Sequence, residues 1–109
     1  MYRLEYSQMA KEDMNGIANY IANDLQNPSA ARNLLAKMLD AANRLINFPY
    51  INPAYQPLSP SEFEYRKLIM RNYIMFYRVD EGEKKIIIAR VVYGRRDYEE
   101  MLRGNDNDD

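Results

Sequence analysis

Tyr65-Arg66-Lys67-Leu68-Ile69-Met70-Arg71-Asn72-Tyr73-Ile74-Met75-Phe76-Tyr77-Arg78-Val79, continued by Ile86-Ile87-Ile88-Ala89-Arg90-Val91-Val92-Tyr93-Gly94-Arg95-Arg96-Asp97, is the stretch on which the fold turns. Both parts are dense in β-branched and aromatic residues, the composition of strands. Asp80-Glu81-Gly82-Glu83 interrupts them as a turn, and Gly82 is the residue expected to supply a positive φ there. Arginine is the unusual component. Arg66, Arg71, Arg78, Arg90, Arg95 and Arg96 punctuate strands that are otherwise almost wholly apolar. A sheet that only covers a core has no need of these guanidinium groups. They are expected to face a polyanion or an acidic partner.

Working outward, Tyr2-Arg3-Leu4-Glu5-Tyr6 alternates as a short first strand. Ser7 caps a following helix, with Glu12 and Asp13 near its start. Ala10, Met14, Ile17, Ile21 and Leu25 make one face of that helix. Gly16 within it costs about 1 kcal/mol relative to Ala, which a close crossing with the next helix would explain. Asn27-Pro28 opens a second helix, a capping Asn followed by Pro at the first helical position. Its stripe is Ala31, Leu35, Met38, Ala42 and Leu45, widened by Leu34, Leu39 and Ile46. With so short a link, the two helices form an antiparallel hairpin that a sheet must cover. Residues 48–63 carry four of the five prolines and read as a stiff, extended loop. Asp97–Arg103 reads as a short helix capped by Asp97. The fold class is therefore α+β: an N-terminal strand, an antiparallel helix hairpin, a three-stranded antiparallel meander completing one sheet, and a short C-terminal helical segment. Residues 1–103 read as one domain and 104–109 as a disordered acidic tail.

Composition narrows the chemistry. The 109 residues contain no cysteine and no histidine. That excludes disulfides, thiolate catalysis, Cys-based zinc sites and the Ser-His or Cys-His nucleophile systems. No metal site or cofactor is expected; Asp80, Glu81 and Glu83 lack the ligand spacing of a calcium loop. No apolar run approaches the ~20 residues of a membrane helix, and the N-terminus does not read as a signal peptide. The net charge of −1 hides a gradient. Residues 64–103 are net +3 and the last six residues net −3, so the cations coincide with the strands.

The order of these elements, with these residues, resembles the RelE/ParE superfamily of bacterial toxins from type II toxin–antitoxin modules. Asn27-Pro28-Ser29-Ala30-Ala31, Leu45-Ile46-Asn47-Phe48-Pro49, Tyr65-Arg66-Lys67-Leu68, Tyr73–Tyr77 and Ile88–Asp97 carry the resemblance, which spans nearly the whole chain. It implies a cytoplasmic growth inhibitor, of the kind tied to plasmid stabilisation. A cognate antitoxin would neutralise it in a hetero-oligomer by laying an extended or helical segment on the sheet. The superfamily divides by target. RelE-like members cleave mRNA in the ribosomal A site, and ParE-like members poison DNA gyrase. Arg90-Val91-Val92-Tyr93-Gly94-Arg95-Arg96-Asp97 is closer to the ParE pattern, although ParE members often carry His at Tyr93. The RelE arginine after the middle-strand Tyr falls at Ile74, and the RelE C-terminal tyrosine falls near Leu102. Arg96 matches the RelE arginine after the last strand.

Three functions follow as expectations: a gyrase-directed toxin, which is favoured; a ribosome-dependent mRNA endoribonuclease; or an inactive relative that only binds antitoxin. An endoribonuclease here would be metal-independent. Arg66, Arg71 and Arg96 would hold phosphate charge, and Tyr93 or Tyr98 would act as acid or orienting group. Glu62 or Glu64 would be the base. Partner or target contacts are assigned to Arg66, Arg78, Arg90, Arg95, Arg96 and Tyr98. A plainer reading stands beside each of these. Strand arginines can simply flank a solvated face, and Tyr65, Tyr73 and Tyr77 suit cross-strand packing better than base stacking.

Overall fold

The computed structural model describes residues 1–55 and 63–94. Strand β1 (Arg3–Tyr6) leads into helix α1 (Gln8–Asn19), which continues as a π turn (Tyr20–Asp24). Helix α2 (Pro28–Asn43) follows and ends in a 3₁₀ turn (Arg44–Ile46). Strands β2 (Arg66–Met70), β3 (Tyr73–Asp80) and β4 (Lys85–Tyr93) complete a single sheet of order β1-β4-β3-β2. The meander is antiparallel, as expected, while β1 runs parallel to β4, so the sheet is mixed. The C-terminal helical segment and the acidic tail read from the sequence lie outside the described residues.

Both helix starts form where the caps stand. The Asn27 side chain accepts from the Ala30 amide, and Pro28 opens α2. Ser7 does double duty. Its hydroxyl accepts from the Ala10 amide at 3.0 Å and donates to the Ala89 carbonyl at 2.8 Å, while its own amide donates to Ile88 O. One residue thus ends the β1–β4 ladder and starts α1.

The helices cover one sheet face. Ala10, Met14, Leu34, Met38, Ala42 and Leu45 pack on Met75, Tyr77, Ile86, Ile88 and Val91. The opposite face is apolar too: Tyr65, Phe76, Ala89 and Val92 are buried there beneath Tyr55, Phe63 and Ile74. The proline-rich segment therefore supplies side chains to a second small core. Tyr77 is fully buried and donates its hydroxyl to Pro49 O at 3.0 Å, tying that segment to the middle strand.

Four local expectations need correction. The π turn inserts an extra residue, closed by Leu25 N–H on Tyr20 O. This rotates the helical stripe and leaves Leu25 more exposed than buried. On α2 the buried set is Ala31, Leu34, Met38, Ala41 and Ala42; Leu35 is only half-buried and Leu39 is exposed. Positive φ in the β3–β4 turn falls on Lys84 (51°) and not on Gly82; Asp80 Oδ1 accepts from the Glu83 amide and shapes the turn instead. Gly16 is not required by a helix crossing, because a Cβ placed on it would meet nothing within 4 Å.

Candidate functional site

Strand β4 decides where its arginine goes. Phe76 pairs with Arg90 and Tyr77 with Ile88, leaving Ala89 as the extra residue of a β-bulge. Before the bulge Ile86 and Ile88 face the helices; after it Val91 does. Arg90 stands at this change of parity, and its guanidinium runs to α1. Nε and Nη2 donate to the two Asp13 carboxylate oxygens at 2.8 and 2.9 Å, and the Val91 amide donates to Asp13 Oδ2 at 2.9 Å. The side chains of Arg90 and Asp13 are only 11% and 15% exposed. Asp13 thus takes over the β4 edge two turns after Ser7 releases it. Its position beside the Ala10–Met14 stripe, one step from burial, was the signal available in the sequence.

The other described arginines lie elsewhere. Arg66 at the start of β2 and Arg78 near the end of β3 share a pocket of about 120 Å³ with Tyr50, Phe63, Glu64 and Val79. Arg66 donates to Asn52 O at 2.5 Å, pairs with Glu64 at 3.3 Å and lies over the Tyr50 ring, 4.8 Å from its centroid. Arg78 stacks on Phe63 at 4.0 Å. Arg71 occupies the β2–β3 turn with φ 56°, at the other end of that hairpin. Tyr93 is exposed at the end of β4, tilted against Tyr73 with centroids 5.2 Å apart. Arg95, Arg96, Tyr98 and Glu62 lie outside the described residues. The structure therefore brings Arg66 and Arg78 together and keeps both apart from Arg71 and Arg90. Among the described residues, the strand arginines do not form one cationic face.

The Arg66–Arg78 pocket has the parts of an anion site: two forked donors, aromatic walls and one carboxylate already bound. Its proton chemistry is poor. Arginine does not give up its proton. The Tyr50 hydroxyl donates to Glu81, and that bond raises its pKa well above the tyrosine norm. Lys84 first, then Tyr2 and Tyr50, donate to Glu81 and hold its carboxyl at about 2. This exposed cluster joins the β3–β4 turn to the N-terminus and to Tyr50; Tyr2 and Lys84 approach Glu81 at 2.6 Å each. Tyr50, Asn52 and Phe63 were not legible as site residues, since each acquires its role from a residue distant in sequence. Among the described residues there is no group of three or more His, Cys, Asp or Glu able to hold a metal, and no helix long and apolar enough to cross a membrane.

A family model described as ParE toxin of type II toxin-antitoxin system, parDE, matches residues 4–98. Among solved structures, a chain of the chromosomal ParDE system from P. aeruginosa superposes with a TM-score of 0.71 at 18% identity, covering 87% of this chain and 98% of that one. The RelBE2 toxin–antitoxin complex from Mycobacterium tuberculosis gives 0.60 at 17% identity, over 84% and 96% of the two chains. The isolated E. coli RelE toxin gives 0.55 at 18%, over 95% and 98%. At such identities these neighbours speak for the fold. No curated protein matches the chain.

Proposed function

The chain belongs to the ParE toxin family of type II toxin–antitoxin systems, within the RelE/ParE superfamily, and from that premise we propose that it acts on DNA gyrase in the cytoplasm and not on mRNA. Ile74 carries the choice. At the position where RelE-like nucleases hold an arginine, this chain places an apolar side chain packed with Phe76, Ala89 and Val92. A phosphate could gain no charge-assisted hydrogen bond there. The remaining described candidates do not supply a nuclease either: Arg66 is engaged by Glu64 and Asn52 O, and Arg71 sits at a remote turn. A toxin that works by binding requires no general base.

Purified protein added to gyrase, relaxed plasmid and ATP should block supercoiling and trap cleaved DNA. Unimpaired supercoiling, with A-site cuts in a translation reaction read by primer extension, would replace this reading with the nuclease one. Unimpaired supercoiling without cuts and without harm to growth on expression would leave an inactive antitoxin-binding relative.

The proposed partner is a cognate antitoxin. The Arg66–Arg78 pocket suits an acidic side chain of such a peptide, with Arg95, Arg96 and Tyr98 as further contacts. Arg90, held by Asp13, lies apart from that pocket.

A further inference from the structure

Residues 48–52 form a turn that is fixed from several sides and yet shows its large apolar side chains to solvent. Phe48-Pro49-Tyr50-Ile51 closes with the Ile51 amide donating to Phe48 O at 3.2 Å, and Pro49 sets the first corner. The buried Tyr77 hydroxyl donates to Pro49 O at 3.0 Å and accepts from Asn52 Nδ2 at 3.3 Å. Arg66 donates to Asn52 O, and the Tyr50 hydroxyl donates to Glu81. Strands β2 and β3 and the β3–β4 turn thus all hold this segment. None of these bonds involves the side chain of Phe48 or Ile51, which are 61% and 68% exposed. Tyr50 between them is also exposed. Single apolar residues on a surface are ordinary; three within four positions of a braced turn form a patch.

Building on the gyrase reading above, we infer that this tip seats in that target, with Phe48 and Ile51 entering an apolar pocket on one of its folded subunits. Shape selects the kind of partner. A protruding tip needs a concavity on the other side, which a lone strand or helix of an antitoxin does not offer. Small molecules favour clefts in the same way. A turn held rigid before contact leaves little ordering to be done on binding. The surroundings have the polarity of an interface rim. Arg66 lies over the Tyr50 ring, 4.8 Å from its centroid, and Tyr2, Glu81 and Lys84 join Tyr50 through hydrogen bonds. Two carboxylates in that rim, Glu64 and Glu81, argue against an anionic lipid surface. A second copy would have to receive the tip in the groove of about 890 Å³ between α1, the π turn and the end of β4, lined by Ile17, Tyr20, Ile21 and Leu25. That is a head-to-tail contact between unlike surfaces, which no two-fold axis closes.

Surface plasmon resonance on immobilised gyrase reads the contact. Phe48→Ser and Ile51→Ser should each weaken binding about tenfold, and the double variant about a hundredfold, as expected when each buries one large apolar side chain. Ile69→Ser removes a similarly exposed apolar side chain from β2 and should bind as wild type. Circular dichroism melts of all four variants should match wild type, because the exchanged side chains are exposed. A second test works on one folded protein before and after modification. The chain has no cysteine, so Ile51→Cys takes a polyethylene glycol maleimide at that site alone. The modified protein should lose the gyrase binding that the unmodified variant shows, while Ile69→Cys carrying the same polymer keeps it. Tip variants that bind as tightly as wild type overturn the inference and leave the gyrase reading standing; so does an equal loss in Ile69→Ser. A wild type that does not bind gyrase overturns both. Light scattering tests the other occupant: a wild-type mass that rises with concentration, returned to monomer by the double tip variant, would assign the tip to a second copy and overturn the inference.

Discussion

Breaking the Asp13–Arg90 pair should cost far more than a surface ion pair. Asp13 accepts three hydrogen bonds, two from Arg90 and one from the Val91 amide. Replacing it with Leu strands a mostly buried guanidinium and a strand amide together. Removing one partner of a buried pair costs roughly 3–5 kcal/mol, and residual exposure puts this one at the lower end, about 3 kcal/mol. Arg90→Met keeps the stem's packing and leaves Asp13 its Val91 partner, so about 1.5–2 kcal/mol is expected. The double variant loses the pair whole but still leaves the Val91 amide unmatched, for a total of about 3 kcal/mol. The singles together exceed the double by about 2 kcal/mol, within the usual range for residues in direct contact.

Chemical and thermal melts of the four proteins measure this cycle. At this chain length 1 kcal/mol corresponds to about 4 °C, so Asp13→Leu should melt roughly 12 °C lower. Single effects that simply add in the double, to within about 0.5 kcal/mol, would refute the coupling. Single effects below about 0.5 kcal/mol each would mean that the pair behaves like a solvated surface bridge, despite its burial.

Gly16→Ala should raise stability by about 1 kcal/mol, since the new methyl group meets no described atom; a melt that falls would refute this. Tyr77→Phe should cost about 1–2 kcal/mol by leaving Pro49 O without its donor, visible as a lower urea midpoint at unchanged slope. Glu81 has its carboxyl at about 2 when folded against an ordinary 4.5. Its contribution is therefore present above the unfolded value and lost as pH falls through the folded one. Acid melts between these limits should show a weakening that Glu81→Gln lacks, kept small by full exposure and salt; identical acid profiles for the two proteins would count against the cluster.

What could be read from the sequence was what its neighbours in sequence determine. Asn27-Pro28 opens α2 and Ser7 caps α1 because a cap is satisfied three residues away. The meander followed from strand composition and turns. The remainder depends on single-residue shifts that composition does not mark. One extra residue at Ala89 reverses which β4 side chains face the helices, and one extra residue in the π turn moves Leu25 out of the stripe. The same insertions explain why the arginines could be found but not sorted. Arg66 and Arg78 are separated by most of the β2–β3 hairpin, yet it brings them to one pocket; Arg90 meets a carboxylate 77 positions earlier. An arginine in an apolar strand is costly unless something answers its charge. For Arg90 the answer lies inside the fold. Arg66 lies over Tyr50 and pairs with Glu64 while Arg78 stacks on Phe63, so the hairpin sets two guanidinium groups side by side in the pocket where the acidic side chain of a partner is proposed to enter.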